Sequence, residues 1–403
     1  MIGPSPISVP RLLQRVGSLV RDTRDIVEER VSDDSIPSWA KARGWTTYLL
    51  SLGDDDVHRC EGQGLASRIE RMAGAPQSLI ELAREVHQIL DEVPMREASA
   101  SLLSVRRASP RKLSQLALLI DAAGPLIERS MRVVDVGSGR GSLSISLGSR
   151  FAKPVIGVEL VEDRVRGAAK RALQGDVTFV HCDAVARGLG LQDRDLAMGL
   201  HACGELGDTL IREAIEAHAD VALVTCCVQK VRGEARAPIS RAGADEGLSL
   251  RRDVLGLANL SAREQGVETP IEQTMRAREA RCALRLYLRE RGIAVCAGDE
   301  MRGLNRRQAQ RGPRELIAAA LAKRGMAPAT EPQLDEVIQR ARDVFGKVRR
   351  LTLPRAMLGP VVELAVVLDR ASALVEAGYA VQVLRLFAPE ASPRNLVILA
   401  QGP

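Results

Sequence analysis

The stretch VVDVGSGRGSLSISLG, Val133–Gly148, places four glycines in a short apolar segment and decides the fold. Its turn, DVGSGRG at residues 135–141, follows an apolar run, as nucleotide-cradling turns do. The third glycine comes one residue earlier than in the dinucleotide pattern G-x-G-x-x-G, in which the helix N-terminus receives a pyrophosphate. The turn therefore favours a nucleotide-like ligand without a phosphate at this point.

Outward from this turn, short β-rich runs alternate with helical stretches. The runs are RVVDVGS, PVIGVEL, VTFVHCDA, DLAMGLHACG and DVALVTCC, and the alternation predicts a parallel sheet with helices on both faces. Near the C-terminus, YAVQVLRLF and LVILA are joined by the short segment APEASPRN, which predicts an antiparallel hairpin. We expect an α/β fold, the Rossmann-like sheet of class I methyltransferases.

The ends of the first three strands predict the cofactor. S-adenosylmethionine (SAM) has no phosphate, and its methionyl part needs close backbone approach and a carboxylate near its ammonium group. Glu159 ends the second strand and can accept hydrogen bonds from both ribose hydroxyls. Asp183 ends the third strand and can accept from the adenine amino group, or it can cap a helix. The predicted SAM-binding residues are Asp135, Gly137, Ser138, Gly139, Gly141, Glu159, Asp183 and Ala184.

A histidine and three cysteines follow the fourth and fifth strands, which are neighbours in such a sheet. The cysteines have three interpretations: small residues that shape a pocket, a nucleophile toward a pyrimidine, or ligands of zinc or iron. No C-x-x-C is present and two of the cysteines are adjacent, so we expect no metal site. The histidine can act as a general base. The candidate catalytic residues are His201, Cys203, Cys226, Cys227 and Lys230.

Several segments together resemble one methyltransferase family. They are VVDVGSGRGSLS, VIGVE, LHACGELGDTLI, VTCCVQK and the C-terminal DRASALVEAGYAVQVLRLFAPEASPRNLVILA. The family includes the methyltransferase-like 25 group and the protein that carries a glutathione-transferase C-terminal domain. The paired H-x-C-G and C-C motifs also resemble tRNA 2′-O-methyltransferases, although Val228-Gln229 replaces their histidine pair. The resemblance covers residues 106–230 and 355–403 and implies SAM binding.

The period of the apolar residues predicts four segments in a chain of 403 residues. Residues 1–105 form an N-terminal helical domain, in which Trp39 and Trp45 are core anchors. Residues 106–230 form the SAM-binding half of the methyltransferase core, and 355–403 supply its last helix and hairpin. Residues 231–354 form a basic helical insertion, which should overhang the active site because it leaves the sheet after Cys227.

The insertion carries most of the positive charge of the chain. It holds 24 basic and 16 acidic residues, a difference of +8, against a net charge of +6 for the whole chain. An arginine cluster in RGLNRRQAQRGPR either contacts phosphates or forms a solvated helix face. The residues ASPRN lie at the same edge, where Arg394 and Asn395 face the substrate or cap the hairpin. The candidate substrate-binding residues are Arg302, Arg306, Arg307, Arg311, Arg394 and Asn395.

These patterns predict a SAM-dependent methyltransferase that acts on structured RNA, tRNA or rRNA. A protein or small-molecule acceptor is the alternative within enzymes, and a non-catalytic SAM-binding module that interacts with RNA is the alternative outside them. We see no run of about 18 apolar residues and no signal-peptide core at the N-terminus, so we expect a cytoplasmic protein without a membrane partner. Seven scattered cysteines fit reduced thiols.

Overall fold

The computed structural model describes residues 7–96, 110–172, 175–264, 270–388, 392 and 394–403. The predicted domain boundary at residues 105–106 lies outside them, as does Pro393 in the predicted hairpin turn. The described residues divide into two compact units. The first comprises those up to Thr23, in Gln88–Asn259 and in Gly359–Pro403. The second comprises Arg24–His87 and Leu260–Leu358.

These units do not follow the four predicted segments. The described residues up to Thr23 belong to the sheet-containing unit, and most of the remaining N-terminal helical residues join the later part of the insertion. The physical reason lies in long-range contacts within the second unit: Arg349 pairs with the buried Glu61, and Arg285 pairs with Asp33. The part of the insertion that belongs to the second unit therefore begins after Asn259. The prediction had the whole insertion leave the sheet directly after the fifth strand.

The first unit contains the predicted sheet. Its strands are β1 (Arg132–Val136), β2 (Val155–Glu159), β3 (Val177–His181), β4 (Asp195–Cys203), β5 (Asp220–Cys226), β8 (Ala380–Arg385) and β9 (Leu396–Gln401), and a separate ribbon pairs β6 (Ala235–Arg236) with β7 (Leu250–Arg251). The strand order is β3-β2-β1-β4-β5-β9-β8. β1 to β5 pair in parallel, whereas β9 is antiparallel to β5 and β8.

This order is that of the class I methyltransferase sheet, and it confirms the predicted fold. The topological switch lies at β1, between β2 and β4, which is where doubly wound sheets bind their ligand. Central β5 is buried along its whole length, as expected of a strand covered on both faces. The sheet and its neighbouring helix share one apolar core that includes Leu119, Ile127 and Met198.

Helices cover the sheet and build the second unit. Along the chain they are α1 (Val9–Asp22), α2 (Arg24–Glu28), α3 (Ser38–Ala42), α4 (Thr46–Ser51), α5 (Asp54–Gln63), α6 (Gln77–Asp91), α7 (Pro110–Arg129), α8 (Ser142–Arg150), α9 (Glu162–Ala169), α10 (Ala184–Arg187), α11 (Glu205–Ala217), α12 (Arg241–Asp245), α13 (Arg252–Leu255), α14 (Leu257–Glu264), α15 (Ile271–Glu290), α16 (Arg306–Gln310), α17 (Pro313–Lys323), α18 (Glu331–Met357) and α19 (Gly359–Glu376). Short 3-10 turns lie at Ile69–Arg71 and Asp299–Met301.

The second unit has its own core, which explains why it separates from the sheet. Apolar side chains of α15, α17 and α18 pack together, among them Leu284, Ile317 and Val337. Trp39 and Trp45 are fully buried and pack edge to face with their ring centres 6.2 Å apart. This confirms their prediction as core anchors, since an edge-to-face aromatic pair contributes packing energy beyond the area that it buries.

The helical segment Glu331–Glu376 contains a window apolar enough to cross a membrane, with a mean hydropathy of 1.6. From the sequence we expected no such segment, because we saw no run of about 18 apolar residues. However, 94% of the window is buried inside the protein, which is typical of a core helix.

Candidate active site at the carboxyl edge of the sheet

The glycine turn between β1 and α8 adopts a backbone that ordinary residues avoid. Gly137, Gly139 and Gly141 all have positive φ angles, of 73°, 58° and 76°. A Cβ on Gly141 would also lie 2.5 Å from the Phe179 ring. The amides of Gly137 and Ser138 donate to the Val158 carbonyl at 2.9 and 3.0 Å, which fixes the turn against β2. The glycines are therefore required by the left-handed conformation and by close packing.

Asp135, at the end of β1, hydrogen-bonds to a residue that follows the glycine turn. Its carboxylate accepts from the amide and hydroxyl of Ser144 at 3.1 and 2.5 Å, and its side chain is almost completely buried. Burial raises the pKa of this carboxyl to about 6, although the two bonds from Ser144 oppose the rise. One carboxylate oxygen of Asp135 thus holds the start of α8, and the contact of this residue with the SAM ammonium group stays a prediction.

Glu159, at the end of β2, lies against the same turn. One carboxylate oxygen accepts from the Gly139 amide at 2.9 Å and the other from the Val161 amide at 2.9 Å. Arg164 approaches the second oxygen at 3.5 Å. The side chain is 6% exposed, and its contact with the ribose hydroxyls stays a prediction.

An unpartnered hydroxyl in the turn indicates that a polar ligand fits there. The Oγ atom of Ser138 is buried, and no described residue hydrogen-bonds to it. Buried polar atoms without a partner are uncommon in folded proteins and require an explanation. Together with the bare glycine backbone and the adjacent Glu159, this orphaned atom fits a cofactor such as SAM.

Asp183 and Ala184 lie at the end of β3, where the predicted adenine contact falls. The Asp183 carboxylate caps α10 by accepting from the Ala186 amide at 3.2 Å. Both of its oxygens also accept from Arg232, at 3.0 and 2.9 Å. An adenine amino group would share this carboxylate with Arg232, which the sequence did not reveal. Ala184 begins α10 and is buried.

A bulge in β4 shapes the reacting end of the site. The pairing of β4 with β5 shifts between Leu200 and Ala202, and the skipped residue, His201, has a φ of 68°. This left-handed conformation is uncommon for a residue with a side chain, and such strain occurs preferentially at functional sites. The His201 ring lies 3.4 Å from Gln115 Oε1. As a result of the shift, Cys203 lies directly opposite Cys226.

The three predicted cysteines form a cluster of thiols. The sulfurs of Cys203, Cys226 and Cys227 all lie within 4.8 Å of one another, and those of Cys203 and Cys226 are 2.7 Å apart. Both of these two thiols also contact the His201 carbonyl oxygen at 3.2 Å. Hydrogen bonds from Cys203 and Cys226, with the nearby cations Arg394 and Lys230, lower the pKa of Cys227.

The two C-terminal candidates have different roles. Arg394 donates to Cys227 Sγ at 3.1 Å and also bonds Asn259. Asn395 instead closes the hairpin: its side chain donates to the Phe387 carbonyl at 2.9 Å, and its own carbonyl accepts from Leu386 at 2.7 Å. Arg394 thus lies beside the thiols. The Asn395 side chain caps the hairpin, which was the second of its two predicted roles.

Glu363 of α19 is a neighbour of this group that sequence analysis missed. Burial raises its pKa to about 7, against the opposing effect of Arg394. Cys227 is also close enough to influence it. A signal existed in LGPVVELAVVLDRASALVEAG, because ionisable residues within an apolar helix are rarely buried without a partner or a function.

A buried network of ion pairs underlies the same edge. Arg370 is fully buried and donates to Asp208 at 2.8 Å and to the Gly204 carbonyl at 2.6 Å. Arg236 forms two bonds to Asp208, at 2.9 and 2.8 Å, and pairs with Asp369 at 2.7 Å. The network therefore ties α19, α11 and the ribbon strand β6 to the turn after β4.

Acidic side chains lie near three of the five arginines of the predicted cluster. Arg302 lies 3.8 Å from Asp299 and Arg311 lies 3.9 Å from Glu315, while Arg314 pairs with Glu331 and Asp335. Within the described part of the chain, Arg306 and Arg307 on α16 are exposed and have no acidic partner. Phosphate binding by the cluster stays a prediction, and these two are its described members without an acidic neighbour.

Residues 111–234 match the family model described as a methyltransferase domain. Solved structures align at low similarity: the cyclase SpnF (18% identity, TM-score 0.23), coclaurine N-methyltransferase with SAH (13%, 0.24) and magnesium protoporphyrin IX methyltransferase from Synechocystis PCC 6803 with SAH (18%, 0.23). The alignments cover 36%, 52% and 52% of this chain.

The chain spans only part of two of these proteins: 57% of the cyclase and 62% of the N-methyltransferase, against 89% of the porphyrin enzyme. Such remote alignments add nothing about substrate. The strand order, the glycine turn and the family match agree with one another. Residues 111–234 are therefore similar to a methyltransferase domain, and they lie in a sheet with the strand order predicted for class I methyltransferases.

Proposed function

We propose that the protein transfers the methyl group of SAM to structured RNA, either tRNA or rRNA, in the cytoplasm. The observation that carries methyl transfer is the glycine turn, where bare left-handed backbone, Glu159 and the orphaned Ser138 hydroxyl lie together. What supports an RNA acceptor is positive charge: Lys230 and Arg394 lie beside the thiol cluster, and Arg306 and Arg307 are exposed without acidic partners.

In this proposal, each side chain at the first three strand ends has a role in binding. The turn residues Gly137, Ser138, Gly139 and Gly141 approach the methionyl part, and Glu159 accepts from the ribose. Asp183 and Ala184 border the adenine, and Asp135 acts through Ser144 by keeping the turn in place. When bound, SAM supplies an electrophilic methyl group.

The residues at β4 and β5 would act on the acceptor. Lys230 and Arg394 attract a phosphate backbone and position the acceptor for in-line transfer. An acceptor O–H or N–H group must also lose a proton. Glu363, with a pKa of about 7, is partly ionised at neutral pH and can receive that proton. His201, which we predicted for this role from the sequence, is the alternative base.

The experiment that tests the proposal is transfer of label from SAM. The protein is incubated with labelled SAM and with fractionated RNA, protein and small molecules from the source cell. We expect label in an RNA fraction, and none with a variant that does not bind SAM. Label in protein or in a small molecule would favour the other acceptors. RNA binding and SAM binding without label would indicate a non-catalytic module.

Glu159→Ala is expected to weaken SAM binding by about 1.5–3 kcal/mol, the usual range for hydrogen bonds to a charged group. This corresponds to a roughly 10- to 150-fold higher dissociation constant, measured by calorimetric titration. Glu162→Ala is the matched control, because that carboxylate pairs with Arg166 four positions along the same helix, and both side chains are exposed. An unchanged dissociation constant in the Glu159 variant would assign the ribose to another residue.

Replacing Arg306 and Arg307 together with glutamine is expected to weaken RNA binding. Each lost phosphate contact lowers the slope of log affinity against log salt by about 0.7–0.9. The Asn305 capping box of α16 remains intact, so the helix should survive. The control is the pair Arg302→Gln and Arg311→Gln, whose charges are already balanced by acids. If the two double variants have equal salt slopes, the α16 arginines do not contact phosphate and belong to an ordinary solvated surface.

A further inference from the structure

The three thiols at the reacting edge come from two strands and reach one point for a topological reason. The bulge at His201 moves Cys203 into register with Cys226 on the adjacent parallel strand, so their side chains share a face. β5 ends at Cys226, and the alternation of side chains ends with it. Cys227 can therefore turn its thiol toward the same point, which overcomes the objection that adjacent cysteines cannot share an ion.

We propose that Cys203, Cys226 and Cys227 bind a thiophilic metal ion, Zn²⁺, at the carboxyl edge of β4 and β5. This proposal goes beyond methyl transfer and does not depend on the acceptor. It reverses our sequence-based expectation of no metal site, which rested on the missing C-x-x-C spacing.

The geometry suits tetrahedral zinc. Zn–S bonds of about 2.3 Å at tetrahedral angles place the sulfurs roughly 3.8 Å apart. The three sulfurs already lie within 4.8 Å of one another, and the Cys203–Cys226 pair, at 2.7 Å, needs only to open. Side-chain rotation at the strand ends supplies such changes, so the backbone does not have to move.

The surrounding charges suit a zinc–thiolate centre. Three thiolates on Zn²⁺ carry a net charge of −1, and the thiol protons leave to solvent when the metal binds. Arg394 already donates to Cys227 Sγ at 3.1 Å, and Lys230 is a second nearby cation. Hydrogen bonds from outer residues to ligand atoms orient and stabilise metal centres.

Three protein ligands leave the fourth position of zinc for a ligand from outside, as in catalytic rather than structural sites. Cys226 is buried, whereas Cys203 and Cys227 are partly exposed, so this position faces the accessible side of the cluster. Metal-bound thiolates would not be free to attack a pyrimidine, which sets this proposal apart from the nucleophile interpretation.

The test uses the full chain, purified without chelators and analysed for bound metal. We expect about one zinc per chain, and cobalt substitution should produce thiolate-to-cobalt charge-transfer absorption. Single replacements Cys203→Ser, Cys226→Ser and Cys227→Ser should each weaken zinc affinity by more than 10-fold, and Arg394→Gln by about 10- to 100-fold. Cys182→Ser and Cys296→Ser are matched controls, since neither thiol belongs to the cluster.

A protein that holds no zinc and develops no cobalt absorption would overturn the proposal, as would a Cys203–Cys226 disulfide in the parent protein as isolated. If the serine variants do not fold, the parent still decides the matter. Zinc should protect three thiols from alkylation, and peptide mapping should assign them to the cluster. Equal alkylation with and without zinc would exclude the site. SAM binding is measured separately, so failure here leaves the proposed function standing.

Discussion

Arg370→Ala is expected to lower the free energy of unfolding by about 3–5 kcal/mol, the usual cost of breaking a buried ion pair by removing one partner. Arg370 is fully buried and donates to Asp208, to Thr225 Oγ1 and to the Gly204 carbonyl. Without it, these acceptors lose a donor that water cannot replace in a closed core. Urea unfolding, monitored by circular dichroism, measures the change.

Arg241→Ala is the matched control for this prediction. Arg241 also pairs with an acid, Glu376, at 3.7 Å, but its side chain is 87% exposed. Exposed pairs of this kind contribute at most about 1 kcal/mol. Similar losses in the two variants would mean that the Arg370 network adds little beyond an ordinary surface pair.

The same network predicts the direction of a pH dependence. Burial alone would raise the pKa of Asp208, but Arg370 and Arg236 hold it below its ordinary value. A lowered pKa in the folded state stabilises the protein above the unfolded pKa of about 4, and this contribution is lost as the pH falls through the folded value. The difference in stability between the parent and Arg370→Ala should therefore narrow in acid. A constant difference would contradict an ionised Asp208.

Gly204→Ala is expected to abolish most methyl transfer while leaving SAM binding nearly intact. Gly204 has a φ of 52° and a ψ of −125°, and a Cβ there would lie 2.0 Å from the Lys230 carbonyl oxygen. The contact is with backbone, so the loop that carries Lys230 must move. A displacement of about 1 Å at a reacting group can cost roughly 100-fold in rate.

The control for Gly204 is Gly190→Ala. Gly190 also has a positive φ, of 64°, but a Cβ there meets no atom within 4 Å. It therefore reports the backbone strain alone, about 1–2 kcal/mol. Initial rates and SAM titrations are compared for both variants. If both variants lose the same fraction of the rate, backbone strain accounts for the effect. If Gly204→Ala lowers SAM affinity as much as it lowers the rate, Gly204 belongs to the cofactor site.

Local patterns in the sequence were sufficient for the sheet and for the glycine turn. Strand runs, their alternation with helices and the C-terminal hairpin each depend on neighbours a few residues away, and the observed strand order confirms them. Gly137, Gly139 and Gly141 were identifiable because their positive φ angles are set by a local turn. Glu159 was identifiable because strand ends meet at one edge of a parallel sheet.

Other features depended on which distant side chains face one another. Arg302 and Arg314 of the predicted cluster lie beside acidic side chains. Counting charges along the sequence cannot show which arginines have such a neighbour. Arg232 donates to the Asp183 carboxylate from 49 positions along the chain, and no local pattern indicates this pair. The division into two units also departed from the predicted boundaries, because helix packing joins segments that are far apart in sequence.

The residue types within each short segment were enough to predict the doubly wound sheet and its glycine turn, because backbone conformation and strand pairing follow local residue types. Only the tertiary structure decided the reacting edge. A one-residue bulge at His201 gathered three thiols, and a helix from the C-terminal part of the chain brought Glu363 and Arg370 to them and to the turn beneath. The thiols meet because of strand register, over 23 positions, and Arg370 reaches Asp208 across 162 positions, and local patterns encode neither contact.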